Sequence, residues 1–286
     1  MHIDEALRAA RAQLTLVSET ASGDAQVLLA EVLGVPRAYV LAHPDHALTA
    51  EQERVFAEMV ARCARGEPLP YVLGRRAWYD REFYVTPDVL IPRPETELLL
   101  EEALRWCADR EASAIAQPVA VDVGTGSGVL AVTFAALRQR WHVFAVDISP
   151  SALAVARENA ARHSVQTQVT FLQSDLLSAF ADQPACFDLI MANLPYIPTQ
   201  DLDGLAVAAH EPRLALAGGL DGLVLIRGLL AQARTLLRPA GMMLLEIEAR
   251  QGAAVATAAR QMFPNARLGV LRDYAGLDRI VKIVLS

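Results

Sequence analysis

Asp122-Val-Gly-Thr-Gly-Ser-Gly128 is the stretch on which the fold turns. It overlaps a valine-rich run, Val119–Val123, and opens an apolar segment of helical length ending near Leu137. Glycines in a strand-to-helix turn let the chain bend sharply and let a ligand approach where a Cβ would collide. A second strand-like run, His142–Asp147, closes on a carboxylate about 20 residues further on, where it can accept two hydrogen bonds from a ribose diol. The pattern predicts a nucleotide-type cofactor held at the start of a helix. Its identity stays open at this point, because Gly126-Ser-Gly-Val-Leu-Ala131 also satisfies the G-x-G-x-x-A fingerprint of nicotinamide and flavin enzymes.

Outward from this loop, strands and helices alternate. Strands are expected at Val119–Val123, His142–Asp147, Val169–Gln173, Asp188–Ala192, Met242–Ile247, Arg267–Leu271 and Arg279–Leu285, with helices at Ser151–Arg162 and Gly222–Leu236 among those between them. The pattern is an open, doubly wound α/β sheet. Only Arg272 to Asp278 separates the last two strands, whereas a parallel crossover needs about a dozen residues, so these two must pair antiparallel. A Rossmann-like seven-stranded sheet ending in a C-terminal antiparallel hairpin is the arrangement of methyltransferases that use S-adenosyl-L-methionine (AdoMet).

The third and fourth strand ends favour the same reading. Asp175 follows the third strand, where it can reach an adenine amino group or cap the next helix with Ser174. The fourth runs into Asn193-Leu-Pro-Tyr196, which fits the (Asp/Asn)-x-Pro-(Tyr/Phe) signature of methyltransferases acting on planar, weakly basic nitrogens. Such a nitrogen has a delocalised lone pair and attacks poorly. Two acceptors aimed at its two N–H bonds, the Asn193 side-chain oxygen and the Pro195 backbone carbonyl, would orient it and localise the lone pair. Pro195 stiffens the turn, and Tyr196 offers a flat face to the planar group. Catalysis is then positioning and electrostatics, with no tuned acid or base required.

Residues 1–72 read as a small all-α domain. Leu7, Ala10, Leu14 and Val17 share one helical face, Val27 to Leu33 form a second helix ended by Gly34, and a third runs from an N-cap at Thr49 to Arg65. Residues 73–91 read as a β-hairpin linker, drawn from an aromatic and β-branched stretch that starts at Glu67. A helix is expected from Pro94, within a catalytic domain covering 92–286.

The chain has 286 residues, 53% of them hydrophobic, and a formal charge of −7, which argues against a protein built to grip nucleic acid. No segment reaches the roughly 20 apolar residues of a membrane span, and the N-terminus lacks a signal-peptide pattern. Cys63, Cys107 and Cys186 are far apart and read as reduced thiols, so a cytoplasmic location is expected. No metal site is expected, because His43-Pro-Asp-His46 has no neighbouring ligands to complete one.

Taken together, the chain resembles the protein glutamine-N5 methyltransferases that modify class I peptide chain release factors. The resemblance runs through nearly the whole chain. It is carried by Glu67-Pro-Leu-Pro-Tyr-Val-Leu-Gly74, Val89-Leu-Ile-Pro-Arg-Pro-Glu-Thr-Glu97, the glycine loop, Ala145-Val-Asp-Ile-Ser-Pro150, Asn193-Leu-Pro-Tyr-Ile197, Glu211-Pro-Arg-Leu-Ala-Leu216, Gly218-Gly-Leu-Asp-Gly222 and Leu245-Glu-Ile-Glu-Ala-Arg-Gln-Gly252. The resemblance implies AdoMet contacts at Gly124, Thr125, Gly126, Ser127, Gly128, Asp147, Asp175, Leu176 and Asn193. It implies substrate contacts at Asn193, Leu194, Pro195 and Tyr196, of which Asn193, Pro195 and Tyr196 carry the chemistry. The implied substrate is the glutamine of a release factor's Gly-Gly-Gln loop, with the helical domain docking that protein. Leu194 stands where the family has proline, and Ile226 where it often has tyrosine. Two rival substrates share the chemistry: adenine N6 in rRNA or DNA, and a ribosomal-protein glutamine. The charge and the absence of a basic appendage favour a protein substrate. No oligomeric state is legible, with a monomer the favoured reading.

Overall fold

Period-two alternation along three central strands decides how the catalytic part is layered. Ala120, Leu189, Met191, Met242 and Leu244 pack into one apolar layer. Their neighbours Val121, Ile190, Ala192, Met243 and Leu245 pack into a second. A sheet apolar on both faces must be covered on both, which is why helices lie on each side. The computed structural model describes residues 1–111 and 117–286, and the chain divides into two units, Met1–Arg75 and Arg76–Ser286.

The first unit is helical: α1 (Ile3–Leu14), α2 (Ala21–Leu33), α3 (Arg37–Ala42), α4 (Ala50–Ala64) and α5 (Leu69–Leu73). Ile3, Ala6, Ala10 and Leu14 bury one stripe of α1 against Leu28, Leu29, Phe56 and Val60. Thr49 caps α4 as expected: its hydroxyl accepts from the Gln52 N–H at 3.2 Å, and Gln52 Oε1 accepts from the Thr49 N–H at 2.9 Å. Val17 does not join the α1 face. The helix stops at Leu14, where the Thr15 hydroxyl donates back to the Arg11 carbonyl, and Val17 is 50% exposed. Nor does the stretch after Glu67 belong wholly to a hairpin. Proline at its first turn and Gly74 in the left-handed region (φ 68°) make Leu69–Leu73 a short helix. His43 and His46 both pack on the Tyr39 ring, the first stacked at 3.9 Å.

The hairpin itself is β1 (Arg75–Trp78) with β2 (Arg81–Tyr84). A 3-10 turn at Pro94–Thr96 then leads into α6 (Glu97–Glu111). The seven strands that follow are β3 (Val119–Val123), β4 (His142–Asp147), β5 (Val169–Gln173), β6 (Phe187–Ala192), β7 (Leu237–Glu246), β8 (Arg267–Arg272) and β9 (Asp278–Val284). Between them run α7 (Val129–Leu137), α8 (Pro150–Arg162), α9 (Val224–Leu236) and α10 (Gly252–Met262).

The sheet order is β5-β4-β3-β6-β7-β9-β8. All pairings among β3 to β7 are parallel, and β9 runs antiparallel to both β7 and β8. The expected C-terminal reversal is therefore present, with β9 inserted between its neighbours. β7 starts earlier than the sequence pattern suggested, at Leu237, and α9 starts later, at Val224. Ile226 is buried in the layer under α9, an apolar core position. No helix among the described residues is long and apolar enough to cross a membrane. Strand order reverses between β3 and β6, and ligands of such sheets bind beyond the carboxyl ends of the strands at that point.

Candidate active site

The turn after β3 is held by backbone geometry and two carboxylates. Gly124, Gly126 and Gly128 all lie at positive φ (73°, 55° and 84°), a region that side chains other than glycine disfavour. Their surroundings differ. A Cβ on Gly126 would meet nothing within 4 Å, so its open side is left to a ligand. A Cβ on Gly128 would lie 3.1 Å from Ala156 Cβ, so this glycine seats α7 against α8 and does not line the cavity. Asp122 is 1% exposed; it accepts from the Thr125 hydroxyl at 2.7 Å and from the Ala131 N–H at 3.1 Å. Burial pushes its carboxyl up to about 7.

Asp147, at the end of β4, completes the turn. Its two oxygens accept from the Gly126 and Ser149 N–H groups, each at 2.9 Å. Burial raises its carboxyl above the ordinary range, and those backbone donors oppose the rise. Ser149 caps α8 and, with Ile148 and Ala152, continues the same cavity wall. Asp175 and Leu176 reach that wall from the chain after β5.

One strand over, β6 delivers Asn193, Leu194 and Pro195 to the cavity, whereas Tyr196 is not on its wall. Leu194 is 4% exposed and would stand 3.1 Å from a Cβ on Gly124. Leu194 thus packs the turn that it belongs to against the glycine turn. Asn193 Nδ2 donates to Thr96 Oγ1 at 3.0 Å, and no described residue donates to its Oδ1. The carbonyls that follow are informative. Tyr196 O accepts from Gln251 Nε2 at 3.0 Å and Ile197 O from the Gly218 N–H at 2.8 Å, while among the described residues nothing donates to Pro195 O. Neither Asn193 Oδ1 nor Pro195 O, the acceptors expected from the sequence, has a donor among the described residues.

A further wall comes from Asp88, Val89, Leu90, Pro92 and Arg93. Glu211, buried, accepts from the Ile91 N–H at 2.9 Å and from Arg93 Nη2 at 2.5 Å, and the Arg93 carbonyl accepts from Trp78 Nε1 at 2.8 Å. Asp122, Thr96, Arg93 and Glu211 were given no role by sequence reasoning. All lie inside quoted segments, so the signal was present, but it named motifs and not contacts.

The cavity fits AdoMet on this chain's own atoms. An open glycine turn lies beside the half-buried Asp147 carboxylate, and two unsatisfied acceptors lie across the strand-order reversal. Asp147→Ala is expected to weaken AdoMet binding about 10- to 100-fold, the effect of losing two hydrogen bonds to a charged acceptor. Calorimetry returning the wild-type Kd would refute the ribose role.

Residues 5–74 match the family described as PrmC N-terminal domain, and residues 117–271 match the family described as methyltransferase domain. The release factor glutamine methyltransferase of Cereibacter sphaeroides is 42% identical over 287 residues, covering 98% of both chains. That of Coxiella burnetii is 37% identical over 281 residues, again with 98% of each covered, and that of Bacillus anthracis is 37% identical over 262 residues, with 90% of each. Among solved structures, the human methyltransferase 10 domain containing protein superposes with a TM-score of 0.52 at 14% identity, over 71% of this chain and 87% of that one, a likeness of fold alone. With both family matches side by side and relatives above 30% identity over nearly its full length, the chain belongs to the release factor glutamine methyltransferases.

Proposed function

We propose that this enzyme transfers a methyl group from AdoMet to the N5 amide nitrogen of the glutamine in the Gly-Gly-Gln motif of class I peptide chain release factors. The observation that carries the proposal is the pair of unsatisfied acceptors, Asn193 Oδ1 and Pro195 O, in one short turn on the cavity that the glycine loop and Asp147 also line. When bound, AdoMet supplies an electrophilic methyl group on a sulfonium. The chain's residues act on the other reactant. A primary amide has two N–H bonds, and two acceptors fixed in space take both, which sets the direction of the nitrogen lone pair. The same oxygens stabilise the positive charge that develops on the nitrogen as it is alkylated. The alkylated nitrogen gives up one proton to solvent, with S-adenosyl-L-homocysteine as the co-product. The secondary amide that remains offers only one N–H and cannot satisfy both acceptors, which favours a single methylation.

Incubation with AdoMet and a release factor, followed by mass spectrometry, is expected to show one added methyl on the Gly-Gly-Gln glutamine. Labelled rRNA, DNA or a ribosomal protein in place of a labelled release factor would overturn the substrate assignment.

A further inference from the structure

Glu246 closes β7, beside the strand that carries Asn193, and is 2% exposed. A buried carboxyl is costly unless its oxygens are satisfied, yet Glu246 Oε2 has no hydrogen-bond partner among the described residues. The groups that face the carboxyl are the Thr96 hydroxyl and Glu95 in the 3-10 turn, the Asn193 amide and Tyr196 after β6, and Arg279 on β9. Burial pushes it up to about 7; Thr96, Arg279 and Asn193 oppose the rise, and Glu95 adds to it.

We infer that Glu246, acting through Thr96, sets which way round the Asn193 carboxamide sits, and so presents Oδ1 to the substrate nitrogen. The inference rests on the methyl-transfer reading above. A hydroxyl has one proton to give. While Glu246 is ionised it only accepts, so the Thr96 proton goes to the carboxylate and Thr96 Oγ1 is left to accept. The Asn193 amide must then turn its NH2 toward Thr96, as observed, and Oδ1 outward. Once Glu246 is protonated, its own O–H can donate to Thr96. That frees the Thr96 proton for Asn193, and the flipped amide, with Nδ2 outward, is bonded equally well. A flipped amide meets the substrate N–H with another donor. The ionised chain also polarises the amide and strengthens Oδ1 as an acceptor. Glu246 and Thr96 are thus positioning residues.

The test follows release-factor methylation from about pH 5.5 to about pH 9 for wild type, Glu246→Gln, Thr96→Val and Thr96→Ser. Wild-type kcat is expected to climb as pH rises through about 7, because the ionised form holds the productive amide. Glu246→Gln and Thr96→Val are expected to lose that limb and about tenfold or more in kcat, with the release-factor KM within about threefold. Thr96→Ser keeps the hydroxyl and is expected to behave as wild type. AdoMet affinity by calorimetry is expected to be unchanged in the three variants.

Stability gives a readout independent of turnover. A carboxyl raised from its ordinary 4.5 to about 7 stabilises the fold below pH 4.5, and that contribution is lost as pH climbs to 7. The melting temperature of Glu246→Gln relative to wild type is therefore expected to rise between about pH 5 and about pH 8. Wild-type kcat and pH limb in Glu246→Gln, or matching profiles for Thr96→Val and Thr96→Ser, would overturn the inference. If Glu246→Gln does not fold, the two threonine variants decide it. A wild type inert on every substrate would instead bring down the methyl-transfer reading, and this inference with it.

Discussion

Asn193→Ala is expected to lower kcat about 100- to 1,000-fold, the usual effect of deleting one preorganised polar group at a site of developing charge. The effect belongs in kcat because the lost contact matters most when the nitrogen turns its lone pair toward the methyl and becomes positive. AdoMet affinity is expected to change much less: the glycine turn and Asp147 are built from β3 and β4, and neither draws a hydrogen bond from Asn193. Asn193→Asp keeps the acceptor and separates two contributions. It replaces the donor that faces Thr96 with an oxygen and sets a second carboxyl near Glu246. It is expected to be impaired as well, since two neighbouring carboxyls disfavour double ionisation, and a protonated side chain at this position can turn an O–H donor toward the substrate nitrogen. Turnover near wild type in Asn193→Ala, in a variant that binds AdoMet normally, would remove the residue from the mechanism.

What was legible in the sequence is what lies on contiguous chain. The glycine turn, Asp147 and Asn193-Leu-Pro-Tyr196 each fall within a few residues of a strand end, so linear spacing places them in the crevice. The antiparallel β9 followed from arithmetic on a connection too short to cross over. The supporting contacts were not legible, because they join segments that only the sheet order brings together. Glu246 meets Asn193 because β7 is hydrogen-bonded to β6, and Glu211 meets Ile91 and Arg93 across more than a hundred residues. No periodicity signals such pairings. Tyr196 and Gly128 show the converse. Both belong to motifs that mark the cavity, yet neither lines it, since a motif records what a turn requires as well as what a ligand touches.

Gly218→Ala is expected to lower kcat about 100-fold and to cost about 1–3 kcal/mol of stability. A Cβ at this position would stand 2.7 Å from Pro195 O and 2.8 Å from both the Cα and the carbonyl oxygen of Gly222. All three are backbone atoms, so no flexible side chain can swing aside. The strain must move one of two strands of chain already tied together. The Gly218 N–H donates to Ile197 O at 2.8 Å, and Gln251 Nε2 holds Tyr196 O at 3.0 Å and Gly222 O at 3.4 Å. Giving way on either side displaces Pro195 O, the second acceptor proposed for the substrate amide, or obstructs its approach. Gly222→Ala compounds the problem, because its Cβ would fall 2.2 Å from Tyr196 O at a φ of +74°. AdoMet affinity is the internal control, since Pro195 O takes no part in the turn formed by Gly124, Gly126 and Asp147. Kinetics and calorimetry on the two variants together decide the matter. A loss of kcat with AdoMet binding kept places the second acceptor at Pro195 O, whereas wild-type kcat in a folded Gly218→Ala protein would mean that carbonyl has no part in orienting the nitrogen.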